Sequence, residues 1–244
     1  MHVVGIVCEY NPFHLGHLYQ LNETKRILGE DTTAVCVMSG DFVQRGEAAV
    51  FDKFARAEAA CRCGADLVAE LPLPWCLSSA EGFARGAVSI LADLGCDTLS
   101  FGSESDDLSA LEALADFALD ETAQARIHAL MDADASLSFA RARELAAAEA
   151  LGEKAALFSN PNDILAVEYL KAVKSLSAPG YTRKTGSSLR SVYMKREYLR
   201  ITYQICSFLI LRSKHWANGT AEPIFFTASP TQFTSRWTRS SRSG

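Results

Sequence analysis

Val3–Cys8, VVGIVC, is a short continuous apolar run rich in β-branched residues, and the stretch after it, Glu9-Tyr10-Asn11-Pro12-Phe13-His14-Leu15-Gly16-His17, breaks that pattern at once. Such a run reads as a strand buried on both faces. A helix is expected from Leu15 to about Leu28, and the alternation then repeats. Thr33–Met38 is a second strand, Asp52–Cys63 a helix that Gly64 closes, and Asp66–Leu71 a third strand. The next helix, about Ser79–Asp93, places Phe83, Ala87 and Leu91 on one face, and Asp97–Phe101 is a fourth strand ending in Gly102-Ser103-Glu104. Strands alternating with helices at these lengths imply an α/β fold: a Rossmann-like parallel sheet with right-handed crossovers. In such sheets ligands bind outside the carboxyl ends of the strands.

Residues 106–150 are rich in Ala and Leu at helical spacing, as in Leu108, Leu111, Ala115 and Ala118, and read as a helical insertion or cap. Asn162 is expected to N-cap a further helix carrying Leu165, Tyr169, Ala172 and Leu176. Beyond that the pattern changes. Residues 1–176 hold 13 Lys and Arg against 27 Asp and Glu, a balance of −14, whereas residues 177–244 hold 11 against 2, a balance of +9. Of those last 68 residues 19 are Ser or Thr, and Ile201–Leu211 is their one extended apolar segment. Two units are therefore expected, 1–176 and a basic, irregular tail, 177–244. The tail reads as a nucleic-acid arm, a poorly packed terminus, or the product of a shifted reading frame.

A chain of 244 residues, 48% hydrophobic, can bury a sizeable core. No apolar run approaches the roughly 18 residues of a membrane span, and Met1-His2-Val3-Val4 lacks the basic start of a signal peptide, so a cytoplasmic protein without a membrane partner is expected. The seven cysteines are scattered, and Cys61-Arg62-Cys63 lacks both knuckle spacing and a second pair. They are expected to be reduced core residues, with no metal bound.

A loop between a strand and a helix aims free backbone N–H groups and the positive end of the helix at its occupant, which suits phosphate. His14 and His17 fall on one helical face, where two imidazoles can act on one group, and Gly16 leaves room for a base or ribose. The plainer alternatives are a helix cap or a half-built metal site; the missing third ligand disfavours metal.

His14-Leu15-Gly16-His17 resembles the HxGH signature of the nucleotidyltransferase superfamily. GIVCEYNPFHLGHLYQL, VMSGDFVQRGEAAVFDKFARAEAA, GADLVAELPLPWCLSSAEGFARGAVSIL, FGSES and SNPNDILAVEYLKA resemble, in order, blocks of the tRNA(Met) cytidine acetate ligase family. The resemblance covers residues 1 to about 176. It implies ATP, taken with Mg²⁺, as a substrate: acetate is activated as acetyl-adenylate and then transferred to the wobble cytidine of elongator tRNA(Met). It also implies an ATP-binding stretch of Val7, Cys8, Glu9, Tyr10, Asn11, Pro12, Phe13, His14, Leu15, Gly16, His17, Leu18, Tyr19 and Gln20. Within it His14 and His17 are catalytic, with Gly102 and Asn162 as further nucleotide contacts. Gln44, Arg45 and Lys53, near a loop where relatives usually carry Asn in place of Asp41, are candidates for triphosphate or tRNA, or plain surface residues. Cys8 is expected to pack in its strand rather than act as a nucleophile.

The family's basic Lys-Arg-Ile-Gly-type segment and its later Ser-Ala-Thr-Ala-Ile-Arg-type motif find no match; Gly180–Ser188 and Ser229–Arg236 are only basic or faintly similar. From this, a frame shift or gene remnant is expected, with impaired activity. The rival functions are adenylyl transfer to a small metabolite and nucleotide binding without catalysis; the oligomeric state stays open.

Overall fold

The computed structural model describes residues 2–105, 107–177 and 190–195. Its strands are β1 (Val3–Cys8), β2 (Thr33–Ser39), β3 (Leu67–Leu71), β4 (Thr98–Ser103) and β5 (Arg190–Lys195). All pair in parallel, in the order β3-β2-β1-β4-β5. After β1 the chain adds β2 and β3 on one side, then returns to add β4 and β5 on the other. The carboxyl ends of β1 and β4 therefore flank a topological switch point, where crossovers diverge and a crevice opens.

Helices cover both faces. α1 (Leu15–Leu28) and α2 (Lys53–Arg62) close one side, where Leu21 and Ala60 pack on Val4, Ile6, Cys8, Ala34, Cys36 and Met38. The other side holds α4 (Ala80–Asp93), which follows the short α3 (Leu73–Cys76), with α5 (Leu108–Leu119) and α8 (Pro161–Ser177). There Phe83, Ala87, Leu91, Leu111, Leu114, Val167 and Leu170 bury Val35, Val37, Leu99 and Phe101. Alternate strand residues thus feed two separate cores, which is why the central strands β1 and β2 are almost continuously apolar. Between α5 and α8 lie α6 (Glu121–Ala133), α7 (Phe139–Leu151) and a 3₁₀ segment (Gly152–Ser159), so residues 106–150 are largely helical.

The structure differs from the sequence reading in three places. β4 begins at Thr98 and runs past Phe101 to Ser103, so that Gly102, expected at the strand's tip, is paired within it. Asn162 is not a cap: α8 begins at Pro161, whose missing N–H costs nothing in a first turn, and Asn160 precedes it with its carbonyl accepting from Ile164 N (2.9 Å). The sheet also gains a strand beyond residue 176, since β5 pairs with β4 from Thr98↔Arg190 to Ser103↔Lys195. Gly180–Ser188, Ile201–Leu211 and Ser229–Arg236 lie outside the described residues. Cys8, Cys36, Cys76 and Cys96 are buried, while Cys61 is exposed and Cys63 partly so.

Arg56 ties the sheet end to its loops. Asp52 caps α2 by accepting from Phe54 N (3.0 Å) and Ala55 N (2.9 Å), and one turn in, Arg56 is 2% exposed. Its guanidinium donates to the carbonyls of Glu9 (2.6 Å), Phe51 (3.0 Å) and Gly40. These carbonyls follow β1, precede α2 and follow β2, and the buried one at Gly40 would otherwise lack this donor. Arg56→Met keeps the bulk and removes every donor. Urea denaturation should show a loss of about 3 kcal/mol or more, with Arg56→Lys recovering only part, because an ammonium cannot reproduce the planar fork.

Candidate functional site

The loop from β1 to α1 turns sharply at Tyr10, a buried residue with φ +45°, a region that bulky side chains rarely occupy. The turn sends Phe13, His14 and His17 into one nest. Tyr10 meets Phe13 edge-on with centroids 4.9 Å apart and His17 at 4.8 Å, and the His14 and His17 rings stack at 3.6 Å, 21° from parallel. His14 is the N-cap of α1. Its Nδ1 accepts from Gly16 N (3.1 Å), while its own N–H donates to His17 Nδ1 (3.2 Å), a capping box built from two imidazoles.

This arrangement corrects the expectation of free backbone donors at the helix start. Two of those N–H groups are already taken by imidazole nitrogens. Because each Nδ1 accepts, the proton of each neutral ring resides on Nε2, and the pair holds two Nε2–H donors at the head of α1. Burial, and then repulsion from His14, lowers the His17 pKa to about 3; burial lowers that of His14 as well. Both rings are therefore neutral hydrogen-bond donors at neutral pH, backed by the positive end of the helix dipole.

Across the switch point stands β4. Ser100 Oγ meets Thr24 Oγ1 of α1 at 2.8 Å, so by the alternation of a strand Gly102 faces the same side. From Thr24 back to Leu15 the helix rises about 13 Å, whereas Ser100 to Gly102 spans about 7 Å, so the first turn of α1 overhangs the end of β4. Gly102 is exposed, and a Cβ placed on it would touch nothing within 4 Å. Its backbone conformation does not require glycine; the open space beside it is what a side chain would occupy.

The β4 rim is pinned by Asp163 in the first turn of α8. This fully buried carboxylate accepts from Glu104 N (2.8 Å), Ser105 N (3.1 Å), Asn160 Nδ2 (2.9 Å) and the Ser103 hydroxyl. Burial alone would raise its pKa, but the hydrogen bonds from Ser103, Asn160, Ser105 and Glu104 outweigh it and hold it below the ordinary carboxylate value. Next to it Asn162 Nδ2 donates to Glu104 Oε1 at 3.1 Å.

The other candidates sit less directly. Gln44 N donates to Glu9 Oε1 and Val50 N to Asn11 Oδ1, both at 2.7 Å, which straps the hairpin around Phe42↔Ala48 to the histidine loop. Arg45 is exposed on that hairpin. Lys53 pairs with Glu70 at 2.8 Å and lies 3.8 Å from Asp41, so carboxylates already engage it. Val7 packs on the α4 side and Leu15 is exposed, while Pro12, Gly16, Leu18, Tyr19 and Gln20 are partly buried around the first turns of α1. Cys8 contacts the Val37 carbonyl (3.6 Å), and burial pushes its thiol well up, which suits packing rather than nucleophilic attack. Arg56, Glu104 and Asp163 escaped the sequence reading; Arg56 had one local signal, an arginine one turn before the buried Ala60 on an otherwise small-residue helix face.

Family comparison agrees with this geometry. The model of the HIGH Nucleotidyl Transferase family matches residues 1–192. The chain belongs to that family. The match runs past residue 176 and into β5, and it accounts for the paired histidines at the head of α1. A tRNA(Met) cytidine acetate ligase of Acetivibrio thermocellus is 44% identical over 182 residues, 73% of this chain and 44% of the relative. One from a Thermoanaerobacter species is 42% identical over 204 residues, 81% of this chain and 51% of the relative. The crystal structure of Thermotoga maritima TmcAL bound with alpha-thio ATP superposes with a TM-score of 0.76 at 36% identity, over 89% of this chain and 52% of that one. The chain thus spans about half the length of the relatives it matches.

The buried imidazoles of this HIGH-type site make stability depend on pH. His17 is neutral when folded and takes a proton near pH 6.5 when unfolded, so the unfolded state binds more protons and stability falls as pH drops below about 6.5. Urea denaturation at pH 7 and pH 5 should differ by about 2 kcal/mol more in the native chain than in His17→Gln, which has no proton to take up.

Proposed function

We propose that this chain forms the nucleotide-binding part of an ATP-dependent ligase that activates acetate as acetyl-adenylate and acetylates the wobble cytidine of elongator tRNA(Met) to N4-acetylcytidine. The observation that carries the proposal is the stacked His14–His17 pair at the head of α1, whose capping bonds leave each ring its Nε2–H as a donor, together with the open space beside Gly102 at the end of β4. The names of the relatives, and the ATP analogue bound to the Thermotoga protein, support the reading.

Acetate is a poor acyl donor because its oxygen is a poor leaving group. In the proposed first step an acetate oxygen attacks the α-phosphorus, the bond to the β-phosphate oxygen breaks, and pyrophosphate departs. In the second, the cytidine N4 attacks the acetyl carbonyl, the acyl–oxygen bond breaks, AMP leaves with the electron pair, and the amine gives up a proton. Neither step needs a covalent enzyme intermediate. The protein's part is alignment and neutralisation: neutral imidazole N–H groups donate to α-phosphate oxygens as charge develops there, and Gly102 leaves room for the nucleotide. Among the described residues no three His, Cys, Asp or Glu gather as a metal site, so Mg²⁺ is proposed to enter with the triphosphate and its waters. No helix among the described residues is long and apolar enough to cross a membrane, and cytoplasmic tRNA is the proposed partner.

Calorimetry with ATP and Mg²⁺ tests the reading. The native chain should bind ATP, and His14→Ala/His17→Ala should bind it at least about tenfold more weakly. Acetate together with elongator tRNA(Met) should then yield AMP and pyrophosphate. A stable adenylylated product made without tRNA would indicate adenylyl transfer to a small metabolite, and ATP binding without acetate-dependent AMP would leave a nucleotide-binding protein that is no ligase. Gly102→Val separates site from fold: its melting temperature should stay within a few degrees of the native value while ATP binding falls about tenfold or more.

A further inference from the structure

The β4 rim contains a polar pair that the capping and pinning interactions do not use. Asn162 lies in the first turn of α8, half-buried, beside the end of β4 that forms one wall of the switch-point crevice. An amide side chain is chemically two-faced, since rotation by half a turn exchanges a donor for an acceptor. Here that ambiguity is resolved by a neighbour. Glu104 Oε1 lies 3.1 Å from the amide nitrogen, and a carboxylate accepts but does not donate, so the NH₂ group must face it. Glu104 is itself held in place, because its backbone N–H and that of Ser105 donate to buried Asp163, one residue after Asn162. The amide oxygen has no partner among the described residues.

We propose that Glu104 is a positioning residue: it locks the Asn162 amide so that its oxygen is the atom offered to a nucleotide, and Asn162 thereby selects a hydrogen-bond donor on that nucleotide. Two groups of ATP supply such a donor beside its phosphates, the exocyclic amine of adenine and the ribose hydroxyls. A carbonyl in place of the amine sets lone pairs against lone pairs, and a deoxyribose leaves the oxygen unpaired. The inference rests on the ATP reading of the site and adds a source of discrimination within it.

The test is calorimetry of the native chain and of Glu104→Gln with ATP, ITP, 2′-deoxy-ATP and 3′-deoxy-ATP, each with Mg²⁺, with melting temperatures recorded alongside. The side-chain amide introduced by Glu104→Gln can either accept or donate, so the amide of Asn162 is free to turn and its selectivity relaxes. The native chain should prefer ATP over one analogue by about tenfold, and in Glu104→Gln that ratio should collapse toward one at an unchanged melting temperature. Loss of the ATP/ITP ratio identifies the base amine as the donor, and loss of a deoxy ratio identifies the corresponding hydroxyl. Asn162→Ala should lose the same ratio, which a purely structural role for Glu104 would not reproduce. Ratios that survive in Glu104→Gln overturn the proposal while leaving ATP binding intact; a native chain that binds none of the four nucleotides overturns the ATP reading and this inference with it.

Discussion

The active end of the sheet depends on a guanidinium that no ligand reaches. Strands that stop at a parallel-sheet edge leave carbonyls pointing past the last paired residue, and in this chain one side chain gathers those that follow β1 and β2. Arg56 reaches the carbonyls of Glu9, Gly40 and Phe51 from a helix position 2% exposed. Three acceptors in different directions call for a rigid planar fork, and only arginine has one. With the Glu9 carbonyl fixed, the chain can take the left-handed turn at Tyr10, and that turn brings Phe13, His14 and His17 together.

The histidines then use the backbone in an unusual way. A helix start normally commits a Ser or Asp oxygen to its first amides and leaves the rest to bind an anion. Here the cap is an imidazole, so the donor taken from the backbone is replaced by one across the ring, Nε2–H. Stacking at 3.6 Å makes two protonated rings mutually repulsive, and burial adds to that cost. The pair is thus held neutral, trading cationic attraction for a donor geometry set before any ligand arrives, which is the property that stabilises developing charge without reorganisation.

Much of this was legible in the sequence. Strands buried on both faces need continuous apolar residues, so β1 and β2 announced themselves, while the histidine spacing brought the two rings together as an N-cap and its third residue rather than on one face of α1. The errors have local causes. Asn162 reads as a cap because Asn is a common one, but Pro161 fits the first helical position and moves the boundary back to Asn160. Gly102 reads as the tip of the fourth strand, and parallel pairing carries β4 one residue beyond it, to Ser103. Arg56, Glu104 and Asp163 were invisible for a different reason: most of their acceptors and donors lie 16 to 60 positions away in the chain, and no local period encodes such partners. β5 escaped because Arg190–Lys195 lies in a segment with neither an apolar run nor a clean period, and its place in the sheet comes from β4.

The two rims of the crevice are built alike and with opposite charge. On the β1 side a buried cation gathers carbonyls; on the β4 side a buried anion, Asp163, gathers the amides of Glu104 and Ser105 and the Ser103 hydroxyl. Each charge directs its hydrogen bonds to backbone behind the crevice, which fixes two loops that would otherwise be free to shift. Both charged groups are buried and hydrogen-bonded inside the protein, so neither makes direct contact with a ligand. In the proposed reading the groups that meet one are neutral: imidazole N–H, an amide oxygen and the open space beside a glycine. Neutral donors in fixed positions bind a triphosphate less strongly than exposed arginines would, but they distinguish one phosphate oxygen from another by direction. The proposed reaction, which must occur at the α-phosphorus and at neither of the other two, depends on that distinction more than on tight binding.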